Sequence, residues 1–315
     1  MKNKFVLAVL IFFVFSVGAK AQSHLSTPKI VKGLYITIDT FENDRLMENI
    51  QKIYQETSIN TLVIDVRSNG INAFVIKNKK AKEKLDKLHS LNLYLVARII
   101  VFWKPNGWFD PESEIRWKQV AQASRLAIDL GFDEINYDYV RYGGPREPKS
   151  RTPIEKRQPV IKSFFDYLDK EVAQKNSKPI SVDIFGTTFL RPEMSIGQKV
   201  QDAAEHFDFI MPMVYPSHWA PGTFGIKDPG RASYEIIYKS LSEGWKTISK
   251  DKKNKSKLRP WLQAFGLDSI FPFRTMAYGA NEVKDQIRAC YDAGCSGWVL
   301  WNPSSKYERY IDALK

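Results

Sequence analysis

Eight short runs rich in β-branched and aromatic residues alternate with eight helical patterns along this chain, and no other feature limits its fold as strongly. The runs cover Gly33 to Ile38, Thr61 to Val66, Leu93 to Val101, Glu134 to Val140, Ile180 to Phe185, Phe209 to Val214, Trp261 to Phe265 and Gly297 to Trp301. Helical patterns fall at Glu42 to Glu56, Lys79 to His89, Glu112 to Leu130, Ile154 to Lys175, Ile196 to Glu205, Ser233 to Ser249, Asn281 to Ala293 and Ser304 to Ala313. Such alternation predicts a parallel sheet clothed in helices, and eight units in one domain-sized chain predict a single (β/α)8 TIM barrel. An open doubly wound sheet uses the same units, but no Gly-x-Gly-x-x-Gly follows the first run.

Loop lengths say which end of such a barrel works. Helix-to-strand connections are short, as at Thr57 to Asn60, Ser90 to Asn92 and Asn176 to Pro179. Strand-to-helix connections are long: Phe102 to Pro111, Arg141 to Pro153, Tyr215 to Ala232 and Gly266 to Ala280. Barrels build their sites from the second kind, at the carboxyl ends of the strands.

Alternate residues of a strand share a face. Taking the inward set at each carboxyl end gathers Asp39, Asp65 with Arg67, Arg98, Asn136 with Asp138, Ser181 with Asp183, Tyr215, Gln263, and Trp301 or Asn302. Branched apolar residues normally fill a barrel, so acids and arginines concentrated at one end point to a site, whether or not the arginines also neutralise the acids. The long loops add Trp103, Trp108, Phe109, Tyr142, His218, Trp219, Phe224, Phe271, Phe273 and Tyr278. Flat rings stack on the apolar faces of sugars while Asp, Asn, Gln and Arg serve the hydroxyls; rings also anchor long loops from beneath.

The amino end sets the compartment. Met1-Lys-Asn-Lys, an apolar run from Phe5 to Val17, and Ala19-Lys20-Ala21 have the order of a secretory signal peptide, with cleavage expected before Gln22. The apolar run is short for a bilayer span. Residues 1–21 are thus read as the signal and 22–315 as the barrel domain, exported to the periplasm or medium with no integral membrane segment after cleavage. The leader holds three lysines and no acid, so 44 of the 47 basic residues remain beside 35 acidic ones, a formal +9. Part of that surplus is the run Lys246 to Lys257, a solvated helix end and loop. An exported chain without a basic-aromatic motif is not expected to bind nucleic acid.

Cys290 and Cys295 are the only cysteines. About Gly294 they take the two positions that touch in a Schellman cap, so contact is expected, either as a disulfide or as a reduced pair. The four histidines, His24, His89, His206 and His218, lack ligand spacing, so no metal or other cofactor is expected.

Four segments carry a family resemblance: Phe132-Asp-Glu-Ile-Asn-Tyr-Asp-Tyr-Val-Arg141, Ile180-Ser-Val-Asp-Ile-Phe-Gly186, Ile210-Met-Pro-Met-Val-Tyr-Pro-Ser-His218 and Arg259-Pro-Trp-Leu-Gln-Ala-Phe265. From about Lys32 onward the chain resembles a bacterial family of secreted proteins assigned as glycoside hydrolases, TIM barrels related to the α-amylase superfamily. The first segment is also similar to the chitinase pattern Asp-x-x-Asp-x-Asp-x-Glu, with Asp133, Asn136 and Asp138 in register. Val140 stands where that pattern needs its acid, which disfavours chitinase-type substrate-assisted cleavage. By resemblance to α-amylase-like barrels, whose fourth strand ends in a nucleophilic Asp and fifth in a Glu acid/base, Asp138 matches the first; the fifth strand here offers the shorter Asp183.

Glycosidic cleavage needs one protonated carboxyl and one carboxylate. The expected catalytic pair is Asp138 with Asp183, and Asp65, Arg67, Arg98, Asn136, Tyr215, His218, Trp219, Gln263 and Trp301 are expected to hold a carbohydrate substrate. Ser181 lacks a nucleophile elbow, which argues against a Ser-His-Asp hydrolase. A non-catalytic glycan-binding or cell-envelope protein on the same barrel is the reading from another class.

Overall fold

The computed structural model describes residues 24–66, 79–105, 107–144, 151–251, 254, 256–266 and 278–315. Residues 1–21, expected to be a signal peptide, and Arg67, Phe271 and Phe273 lie outside them. Eight strands form the barrel: β1 (Val31–Ile36), β2 (Thr61–Val66), β3 (Tyr94–Ile100), β4 (Glu134–Asp138), β5 (Ile180–Phe185), β6 (Phe209–Met213), β7 (Trp261–Gln263) and β8 (Gly297–Trp301). Each pairs in parallel with the next, β6 meets β7 at Met213 and Trp261, and β8 pairs back to β1. The sheet is closed, as the eightfold alternation predicts.

The intervening helices are α1 (Asp44–Glu56), α2 (Lys79–Ser90), α3 (Glu114–Leu130), α4 (Ile154–Leu168), α5 (Val200–His206), α6 (Ser233–Ile248), α7 (Ala280–Asp292) and the short α8 (Ile311–Leu314). Outward residues of the strands, such as Leu95, Ala97 and Ile99 of β3, join the helices' apolar stripes in one continuous core. In α3 that stripe is Val120, Ala121, Ser124, Ala127 and Ile128, spaced at helical intervals. Each fully buried Ile, Leu, Val or Phe stabilises by about 1.5–3 kcal/mol, so this core carries the fold. The barrel interior holds a second cluster that includes Tyr35, Val63, Val96, Met211, Trp261 and Val299.

Two glycines are required by geometry in the last unit. Gly294, at φ +77°, ends α7 as a Schellman cap: Cys295 N donates to Cys290 O at 3.1 Å and Gly294 N to Tyr291 O at 2.9 Å. The Cys290 and Cys295 thiols are free and in contact across this turn. At Gly297, φ +135°, a Cβ would fall 2.2 Å from Val31 O, so no other residue lets β8 meet β1 there.

Departures from the sequence reading have local causes. β1 stops at Ile36 because Thr37 caps a short helix, Ile38–Glu42, accepting from Thr40 N at 3.1 Å. Asp39 therefore sits exposed on that helix and not at an inward strand end. The helix expected from Ser304 shrinks to α8 and the turn before it. There the Asn302 side chain accepts from Ser304 N and Lys306 N and Ser305 adopts φ +54°, so local bonds win over helix.

Candidate active site

Three adjacent strands deliver the centre of the site. Arg98 of β3 faces Asn136 of β4, which faces Ser181 of β5; one step beyond the paired Tyr137 and Val182 come Asp138 and Asp183. The two acids expected as the catalytic pair are thus neighbours on the barrel's carboxyl rim. Arg98 binds both: it donates from Nη2 to Asp138 Oδ2, and its Nε lies 3.7 Å from Asp183 Oδ2. Nη1 donates to Asp65 Oδ1 at 2.5 Å, and the Tyr35 hydroxyl donates to Asp65 Oδ2 at 2.5 Å.

One cation therefore faces three acids, all buried or nearly so. Burial and the neighbouring charge of Asp138 push the Asp183 carboxyl well above the usual range, only partly offset by Arg98, Trp261 and Asn136. Burial alone would lower Arg98, but Asp65 and Asp138 outweigh it and hold the guanidinium charged. The Asp183 oxygens are not equivalent. Oδ1 accepts from Trp261 Nε1 at 2.7 Å and from Asn136 Nδ2 at 2.8 Å, whereas Oδ2 has no hydrogen-bond partner among the described residues. A proton on Asp183 belongs on Oδ2.

Above these groups opens a cavity of about 210 Å³, lined by Arg98, Asp138 and Asp183 below and by Tyr215, His218, Trp261, Phe265 and Trp301 around one side. At about 30 Å³ of liquid per water, that is room for about seven waters, the scale of one sugar ring. Trp301 stands edge-on to Phe265 at 5.1 Å and tilted to Tyr215 at 5.9 Å, a wall of mutually braced rings. Burial first, then Asp183 and Asp138, raise the Tyr215 phenol, so it serves as a neutral donor.

The structure gathers Asp65, Arg98, Asn136, Asp138, Asp183, Tyr215, His218 and Trp301 at this cavity or directly beneath it. Two expected ligands lie elsewhere. Trp219 is 5% exposed and packs in the outer core against Phe224, its Nε1 donating to Val214 O, so it offers no face to a sugar. Gln263 is fully buried and joins loops, accepting from Ser217 N at 3.2 Å and donating to Phe265 O at 3.0 Å. Val140, in the chitinase acid's position, is buried in the outer core.

Sequence reasoning overlooked Tyr35, Tyr139, Arg141, Phe185, Gln198, Met213, Trp261 and Phe265. Trp261 and Tyr35 were available from parity, being inward on their strands. Tyr139 was not: alternation puts it opposite Asp138, but its φ of +55° breaks the strand and turns the ring into the cavity beside Arg141. Asp138 Oδ1 accepts from the Tyr139 N–H at 2.5 Å, which fixes this strained turn.

Residues 33–107 and 103–307 match the model of a family described as "Putative glycosyl hydrolase domain". Similar solved structures include the PgaB (BpsB) glycoside hydrolase domain of Bordetella bronchiseptica, with a TM-score of 0.63 and 10% identity over 90% of this chain and 98% of that one. A class V chitininase from Pseudomonas fluorescens Pf-5 gives 0.62 and 13% over the same shares. The Bacillus cereus spore cortex-lytic enzyme SleL gives 0.60 and 10% over 90% of this chain and 73% of that one. At these identities the likeness is one of fold. None of the curated proteins matches the chain in sequence.

Proposed function

The chain belongs to that glycosyl hydrolase domain family, and we propose that it is an exported enzyme that hydrolyses a glycosidic bond of a poly- or oligosaccharide with Asp138 and Asp183. The observation that carries this reading is the surplus of acid, three carboxyls around the one Arg98 guanidinium, where burial and the neighbouring Asp138 push the Asp183 carboxyl well above the usual range. Asp183 Oδ2 gives that proton to the leaving oxygen as the bond from the anomeric carbon breaks, and Asp138 stabilises the oxocarbenium-like centre. Side chains at one level of neighbouring strands start about 4.8 Å apart, which favours the closer of the two carboxyl spacings and hence retention, with Asp138 as nucleophile. Water then attacks the glycosyl ester and returns a proton to Asp183.

Tyr215 and Trp301 would seat the sugar ring, and Trp261 with Asn136 would hold Asp183 in orientation. The assignment of Asp138 as an α-amylase-like nucleophile and the export signal are both part of the proposal. Incubating the protein with a panel of plant, bacterial and host polysaccharides tests it, with the product anomer followed by NMR. Cleavage with retained configuration, lost in Asp138→Asn, is expected; full activity in that variant overturns the assignment. Intact mass of exported protein is expected to begin at Gln22, and retention of Met1 would refute the processing.

A further inference from the structure

Beside the catalytic cavity lies a larger one of about 490 Å³, lined by described residues that follow β3 and β4. Trp108 and Phe109 give it half-buried rings above the buried Tyr142, and Asp110, Glu112, Arg151 and Lys156 give it two acids and two bases. Only one stack of side chains separates the two spaces. Arg141 lines the catalytic cavity and lies over Trp108, which lines the other, with 4.3 Å from guanidinium carbon to ring centroid; Tyr139 stands 6.0 Å from the same ring.

We propose that this second cavity is a carbohydrate subsite, so that the substrate is a neutral glycan several units long that crosses the Trp108–Arg141 partition. The inference rests on the glycan-cleaving reading above. An internal bond can be cut only if sugar is held on both sides of it, and the catalytic cavity has room for about one ring. The neighbouring cavity supplies the second side on the same face of the barrel. Its balanced acids and bases give it no net charge with which to select an anionic polymer, while planar polar groups beside rings suit sugar hydroxyls. The described residues after β3 brace one another. Trp103 and Trp108 pair across a hairpin, and Arg116 both bonds Val101 O at 2.8 Å and stacks on Phe109 at 4.1 Å. A preformed surface loses little entropy on binding.

Calorimetry on the Asp138→Asn protein would use the dimers and hexamers of N-acetylglucosamine (β-1,4), cellulose, maltose and laminarin series, with hexagalacturonate as the anionic arm. At least one neutral hexamer is expected to bind tenfold or more tighter than its dimer. Adding Trp108→Ala should remove most of that ratio, Trp108→Phe should restore it, and dimer affinity should stay level across all three. Equal affinity for dimers and hexamers, preference for hexagalacturonate alone, equal loss of both lengths in Trp108→Ala, or no hexamer bound would each overturn the inference. If Trp108→Ala does not fold, the length ratio in the parent and in Trp108→Phe decides. Length-dependent binding without cleavage by the wild-type chain would keep this subsite and reject the enzymatic reading, so the two fail separately.

Discussion

The two ends of the barrel both bury charge, and they handle it in opposite ways. At the amino-terminal floor one acid meets one base: Glu134 pairs with Arg259 and also accepts from Ser181 Oγ at 2.7 Å and Tyr94 Oη at 3.1 Å. Next to it Asp133 accepts from His89, from Leu95 N at 2.9 Å and from Leu25 N at 2.7 Å, which ties the segment entering β1 across the barrel's base. Arg259, two of whose nitrogens have no hydrogen-bond partner among the described residues, lies 4.0 Å over the Phe209 ring. At the carboxyl mouth three acids share Arg98, Asp183 Oδ2 and Asn136 Oδ1 have no hydrogen-bond partner among the described residues, and a cavity opens above. Acid matched to base with no cavity above is how a structural network looks; surplus acid facing a cavity is how a reactive one looks. Burial alone does not separate them, since Glu134 and Asp183 are equally inaccessible.

The hardest test of that contrast exchanges one carboxyl at each end for its amide. Asp138→Asn should reduce glycan cleavage to background with the fold retained, and Asp183→Asn should lower kcat by about 10²–10⁴, the usual worth of a general acid. Activity of the wild-type enzyme should fall as pH climbs through the raised Asp183 titration. Glu134→Gln should do the reverse. Stranding Arg259 is expected to cost about 3–5 kcal/mol of stability, while folded protein keeps its turnover. A Glu134 variant that is stable but inactive would erase the distinction between the ends.

The mouth's half of this division was readable from residue order, because strand parity and register are simple; the floor's ion pair was not read. Asp138 and Asp183 came from counting along two strands, and the Cys290–Gly294–Cys295 cap from helix-end rules. Reading failed where the backbone leaves its regular path. Asp39 was lost to a Thr37 cap, and Tyr139 was gained through a left-handed turn. Trp219 failed for another reason: depth is set by what packs over a loop, and sequence alone does not tell a ring that lines a cavity from one that lies under it.

Exchanging the two tryptophans for alanine sharpens that last point with a smaller effect. Trp301 lines the cavity above Asp138 and Asp183, so Trp301→Ala should weaken glycan binding by about 1–3 kcal/mol, the size of base-on-aromatic stacking, with little change in melting. Trp219→Ala removes a core ring and should cost about 3–5 kcal/mol of stability. Loss of binding in a well-folded Trp219→Ala protein would return that residue to the site.

The smallest expected effect is a slope. An acid that holds its proton more tightly folded than unfolded makes the folded chain the greater proton binder between its ordinary and its raised titration. For Asp183 that window opens at about 3.8 and extends upward, so its contribution is to lower stability progressively as pH rises through the window, with the full penalty present above it. Asp183→Asn cannot ionise, and its amide oxygen still accepts from Trp261 and Asn136. Urea titrations across this range should therefore show the wild type losing stability relative to the variant with rising pH, and the two drawing together at the acid end. A constant difference would mean that Asp183 titrates no differently in the folded chain, and the mouth of the barrel would then be as balanced as its floor.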